Sequence, residues 1–103
     1  PSKVAVFPLM NKDGLAEKAQ AIFKELKYDF TAQYDAKDAI GRRYRRQDAV
    51  GTPYCITIDH QSLEDDTVTI RERDSMRQER IPITDIARIL EENVTLKKLL
   101  KSI

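Results

Sequence analysis

Two groups of arginines hold most of the chemistry this sequence offers. Arg42, Arg43, Arg45 and Arg46 crowd into one segment, and Arg71 and Arg73 stand two residues apart behind Thr69. A guanidinium is a planar fork of N–H donors that pairs with phosphate oxygens, stacks on bases and bonds to their edges. The first group suits a phosphate backbone. Alternation along a strand puts Thr69, Arg71 and Arg73 on one face, an accessible cationic surface on which unstacked single-stranded bases can be read. A cytosine offers an N4 donor and N3 and O2 acceptors, so it needs both a cationic donor and an acceptor. Arg71 and Arg73 can donate; Glu72, Glu64, Asp59 or Asp38 can accept.

Each group also has a plainer reading. On a helix, Ile40 and Tyr44 fall four residues apart and can face a core, which leaves the arginines around a solvated surface with Asp38 and Asp48 as partial counter-ions. Arg71 and Arg73 can instead pair across strands with Glu79 or a neighbouring acid.

Enzymatic chemistry finds little support. A doubly wound sheet binds ligands beyond the carboxyl ends of its strands, here near Asn11, Asp13, Asp59, His60 and Gln61. The segment Met10-Asn11-Lys12-Asp13-Gly14 is neither GxGxxG nor a P-loop, so it has no glycine cradle for a diphosphate. One histidine and one cysteine do not make a metal site, and no metal is expected. Asp59 and His60 are adjacent on an expected strand and point to opposite faces, which prevents them from sharing one proton; His60 reads as a solvated loop residue. Cys55 lies in an apolar run and reads as a small core residue.

Composition sets the frame. The chain has 103 residues, enough for one core, and 18 basic against 17 acidic residues give a net charge of +1. Any nucleic-acid contact must therefore be a local patch. No apolar run approaches the roughly 20 residues that cross a bilayer, Pro1-Ser2-Lys3 lead into an expected strand instead of a signal peptide's apolar region, and the lone cysteine fits a reducing compartment. A single domain over residues 1–103, cytoplasmic and without a membrane partner, is expected.

The elements follow from periodicity. Residues 3–9 read as a strand buried on both faces, limited by Pro8. Asp13 or Gly14 caps a helix with Leu15, Ala19, Ile22, Phe23 and Leu26 on its core face. Phe30, Ala32 and Tyr34 alternate with polar residues as a strand near an edge. Residues 39–50 form a second helix, capped by Asp38 and ended by Gly51. Tyr54-Cys55-Ile56-Thr57-Ile58 is the best central strand. A polar turn over residues 61–66 leads to a strand with Val68 and Ile70 on its inner face. A further strand over residues 77–83 is kept to an edge by Pro82. Thr84-Asp85 then caps a last helix carrying Ile86, Ile89, Leu90, Val94, Leu96, Leu99, Leu100 and Ile103. The order βαβαβββα makes an α/β fold, a five-stranded mixed sheet with three flanking helices.

The wording of three segments adds a resemblance. AIGRRYRRQDAVGTPYCITID (39–59), with VAVFPLMNKDGL (4–15) before it and DDTVTIRERD (65–74) after it, is similar to the anticodon-binding domain of the class II aminoacyl-tRNA synthetases for glycine, histidine, threonine and proline, most closely the glycyl type. The resemblance runs from Lys3 to the last helix and implies the same fold. It implies one domain from the C-terminal end of a longer enzyme, binding the anticodon of tRNA-Gly. In such domains the bases are read at places that fall here on Lys37, Asp38, Gly51, Thr52, residues 59–62 with Asp59, Gln61 and Ser62, and residues 69–73 with Thr69, Arg71, Glu72 and Arg73. Arg71 matches the threonyl-type pattern; Gly51 and Lys37 depart from it. The resemblance also implies that ATP and Mg serve a separate catalytic domain of a homodimeric parent. The three class II motifs of that domain are not found in this sequence, so the domain itself is expected to be non-catalytic, cofactor-free and monomeric. The alternatives are the same domain from a prolyl or threonyl synthetase, its relative in a polymerase accessory subunit, and a free-standing nucleotide- or partner-binding α/β module.

Overall fold

The computed structural model describes residues 4–10, 12, 14–36, 40–73 and 76–92. Five strands, β1 (Val4–Pro8), β2 (Ala32–Tyr34), β3 (Tyr54–Ile58), β4 (Thr67–Glu72) and β5 (Gln78–Pro82), form one sheet in the order β2-β1-β3-β4-β5. β1 runs parallel to both β2 and β3, whereas β4 runs antiparallel to both β3 and β5. The expected mixed sheet is present, with β2 and β5 at its edges.

The helices are α1 (Leu15–Asp29), α2 (Ile40–Val50), α3 (His60–Asp65) and α4 (Ile86–Glu92), the last preceded by a 3₁₀ turn over Ile83–Asp85. α1 starts at Gly14, whose φ of +81° lies in the left-handed region. It buries Leu15, Ala19, Ile22 and Leu26, the one-sided pattern its spacing predicts. These residues join Val4, Val6, Ile56, Ile58, Val68, Ile70 and Ile81 from the sheet, and Ile86, Ile89 and Leu90 from α4, in the main core.

The opposite sheet face carries a much smaller cluster, Ala5, Phe7 and Cys55, with Tyr44 of α2 packed against it. Here the structure corrects one expectation. The arginines of α2 do not all surround a solvated surface. Arg43 is only 3% exposed, and Gln47, one turn on, is buried as well. Backbone geometry accounts for Arg43. Val4 N donates to Thr31 O and Asp35 N donates to Val6 O, so alternate β1 residues turn their backbone groups toward β2. By the same alternation the Pro8 carbonyl points that way, but the β1–β2 pairing ends at Val6 opposite Tyr34. Arg43 Nη1 donates to this carbonyl instead, with its guanidinium 5.8 Å from the centre of the Phe7 ring. Gln47 is satisfied by Thr52, whose hydroxyl donates to Gln47 Oε1 at 2.7 Å while its N–H donates to the Gln47 carbonyl at 3.0 Å.

α3 replaces the polar turn expected over residues 61–66. Asp59 caps it: Oδ1 accepts from the Ser62 N–H and hydroxyl, both at 3.1 Å, while Ser62 Oγ accepts from the Asp59 N–H at 3.0 Å. This reciprocal box ties both backbone donors to side chains and sets the segment on a helical path. Asp66, at φ 55°, ends it. Val94, Leu96, Leu99, Leu100 and Ile103 of the expected last helix lie outside the described residues, as do the proposed caps Asp13 and Asp38.

Candidate nucleic-acid interface

Strand register builds the site. Thr57 of β3 lies opposite Thr69 of β4, which lies opposite Arg80 of β5; in the next row Cys55 is opposite Arg71, and Arg71 opposite Gln78. Alternation therefore collects Thr67, Thr69, Arg71, Gln78 and Arg80 on one face, all exposed or half-exposed. Their neighbours Val68, Ile70 and Ile81 are buried on the other face. α2 borders this polar face on the β1–β3 side. The Tyr44 hydroxyl shares a 2.5 Å hydrogen bond with Thr57 Oγ1, and the Arg71 guanidinium lies 4.9 Å from the centre of the Tyr44 ring. Burial pushes the Tyr44 phenol above its ordinary pKa, against the Thr57 hydrogen bond, which lowers it. The phenol stays neutral as a hydrogen-bonding partner.

The far side of the face is held by Asp59. Its Oδ2 accepts from Arg80 Nη2, and Arg80 Nη1 donates to Thr67 Oγ1 at 3.0 Å. The Thr67 hydroxyl in turn donates to Asp65 Oδ1 at 2.6 Å. Partial burial pushes the Asp59 carboxyl up, but hydrogen bonds from Arg80 and Ser62 and the Arg80 charge outweigh it and hold the group below the usual carboxylate range. Asp65 is held low as well, chiefly by Thr67 and Gln61.

The candidate residues from the sequence divide into three sets. Thr69 and Arg71 come together on the polar face. Arg73 lies just past β4, exposed in the turn, with its N–H bonded to Pro53 O at 2.9 Å. Arg42 and Arg45 are exposed on α2, and Arg46 reaches Asp35 at 2.5 Å, so three of the four arginines there keep access to solvent. Gly51 follows α2 at φ +83°, and Gln61 is exposed, donating to Asp65 at 3.0 Å.

The second set is buried. Thr52 and Ser62 spend their hydroxyls inside the protein, on Gln47 and in the cap of α3. Glu72 is also buried, opposite Tyr54 on the main-core face and thus on the reverse side of the sheet from Arg71. It cannot complete a donor–acceptor pair with Arg71 across one base. Glu79 is excluded as a cross-strand partner of Arg71 for the same reason, since it lies opposite Ile70. The third set, Lys37 and Asp38, lies outside the described residues.

Sequence reasoning missed a fourth set, Arg80 and Thr67. The available signal was hairpin register: pairing β4 with β5 places every second residue of QERIP beside Thr69 and Arg71. His60 opens α3 and Cys55 is buried beside Ala5 and Phe7. Among the described residues no three His, Cys, Asp or Glu side chains converge as metal ligands, and no helix is long and apolar enough to cross a membrane.

Comparison with known proteins agrees with this geometry. The profile of the family described as "Anticodon binding domain" matches residues 3–93. Glycine–tRNA ligase of Treponema denticola is 59% identical over 99 residues, which are 95% of this chain and 22% of that protein. The glycine–tRNA ligase of Rhodopirellula baltica is 59% identical over 86 residues, 84% of this chain and 16% of the relative. The chain thus spans about a fifth of the length of the curated relatives it matches. The RNA binding domain of threonyl-tRNA synthetase from Cryptosporidium parvum Iowa II shares the fold, with a TM-score of 0.78 over 87% of this chain and 23% of that one, at 20% identity. With the family profile spanning every described residue and the fold repeated in a synthetase domain, the chain belongs to the anticodon binding domain family.

Proposed function

We propose that this chain reads the anticodon of tRNA-Gly as one non-catalytic domain of a cytoplasmic glycine–tRNA ligase. The observation that carries the reading is the polar face of β4 and β5, where Arg71 and Arg80 stand among threonine hydroxyls beside the Tyr44 ring. Such a face offers hydrogen-bond donors on a rigid sheet with an aromatic side chain beside them, the kinds of group that single-stranded base recognition uses. The glycine–tRNA ligases similar to it over most of its length support the choice of tRNA. In this reading Arg42 and Arg45 meet phosphates while Arg71 reads base edges. ATP, Mg and glycine are handled by a separate catalytic domain of a homodimeric parent; this domain alone is monomeric and needs no cofactor.

Titration of the chain with a tRNA-Gly anticodon stem-loop, and with the same stem carrying an altered anticodon, tests the proposal. Preference for the glycine anticodon supports it; equal affinity for both loops contradicts it. Glycine-dependent pyrophosphate exchange by the purified chain would contradict the non-catalytic assignment.

A further inference from the structure

Arg80 is held more firmly than simple positive charge requires. Its two terminal nitrogens are each engaged, one by the Asp59 carboxylate and one by the Thr67 hydroxyl at 3.0 Å. Both partners are anchored in turn. Asp59 Oδ1 is occupied by the N–H and hydroxyl of Ser62 in the cap of α3, and Thr67 is tied to Asp65 at the end of the same helix. α3 therefore acts as a clamp on one guanidinium. The Arg80 side chain nevertheless retains 30% of its exposure and that of Asp59 21%. A guanidinium has five N–H donors, and the two bonds leave three. These belong to a fork fixed in the row Thr57–Thr69–Arg80, on the face that bears Arg71.

We propose that Arg80 is a specificity-determining contact to an anticodon base, and that Asp59 is the residue that positions it. The proposal rests on the reading of the β4–β5 face as the anticodon site. The ligand chemistry follows from the fork: a rigid pair of N–H groups matches two adjacent acceptors on one base edge, such as O2 and N3 of cytosine. A donor that is already ordered loses little side-chain entropy on binding, so it discriminates better than a flexible surface arginine. Asp59, whose two oxygens are committed to Ser62 and Arg80, works through Arg80 and not as a base acceptor of its own.

The test compares the 103-residue chain with its Arg80→Ala, Arg80→Lys and Asp59→Asn variants. The probes are the tRNA-Gly anticodon stem-loop and stem-loops altered one anticodon base at a time. Arg80→Lys keeps a cation beside Asp59 but loses the fork, so it carries the test even if Arg80→Ala fails to fold. Asp59→Asn keeps a good helix cap while removing the charge that holds Arg80. The wild type should prefer the cognate loop. Arg80→Ala and Arg80→Lys should lose about 5- to 150-fold of that preference at one anticodon position only. Asp59→Asn should lose preference at the same position, with α3 intact by backbone chemical shifts. Equal weakening on all stem-loops would make Arg80 a phosphate contact and overturn the proposal. Unchanged discrimination would make the Asp59–Arg80 pair purely structural and overturn it too. Absence of discrimination by the wild type would instead remove the anticodon reading on which the proposal stands.

Discussion

Arg71 and Arg43 show at the scale of single residues how position decides what an arginine does. Arg43 is sealed against Phe7 and bonded to a strand-end carbonyl, whereas Arg71 lies half-exposed over the Tyr44 ring. If Arg71 donates to a base, Arg71→Ala should cost about 1 to 3 kcal/mol for cognate RNA and little for a loop with altered anticodon. Isothermal titration of both RNAs closes that cycle, and equal losses would reduce Arg71 to a phosphate contact. Asp59 makes a second prediction. Its carboxyl is held low in the fold, so the charged form stabilises the protein above the unfolded pKa of about 3.9 and that contribution is lost as pH falls through the lower folded value. Thermal melting between pH 2 and 6 should show a shallower acid decline for Asp59→Asn than for the wild type; parallel curves would contradict the linkage. Arg71 was legible because two-residue alternation is visible in VTIRER. Arg80 was not, because only the register of a hairpin whose turn is not spelled out by an NG or DG pair brings it beside Thr69.

At the scale of elements, the strands and α1 followed from their patterns, since continuous apolar runs and a one-sided stripe have few other solutions. α2 did not. Its inward face looked apolar through Ile40 and Tyr44, but it packs on a thin layer of Ala5, Phe7 and Cys55 that leaves room for Arg43 and Gln47, each with an internal partner. Local amphipathicity cannot reveal a carbonyl left over by a strand three residues long. α3 was hidden for a different reason: six residues without an apolar stripe become helical through the Asp59–Ser62 cap. Gly51 separates α2 from β3 at φ +83° with open space where a Cβ would stand, so Gly51→Ala should be destabilising by backbone strain alone. A loss of about 1 to 2 kcal/mol in urea unfolding is expected. Tyr44→Phe leaves the Thr57 hydroxyl without its partner while keeping the Phe7 contact at 5.2 Å between ring centres. It should cost about 1 kcal/mol. An unchanged unfolding midpoint would show that the hydroxyl pair contributes nothing.

The whole molecule combines a near-neutral charge with one polar, arginine-bearing sheet face. A net charge of +1 provides little long-range attraction, so RNA binding should rest on a few phosphates. Each neutralised phosphate of a single strand contributes about 0.7 to the slope of log K against log salt. The most direct measurement is chemical-shift mapping of the chain with the tRNA-Gly anticodon stem-loop. The account predicts shifts concentrated at Thr69, Arg71, Arg73, Gln78 and Arg80, with smaller ones at Arg42 and Arg45, and far weaker effects when the anticodon is altered. Shifts concentrated instead on the outer surface of α1, or the same pattern with either anticodon, would contradict it.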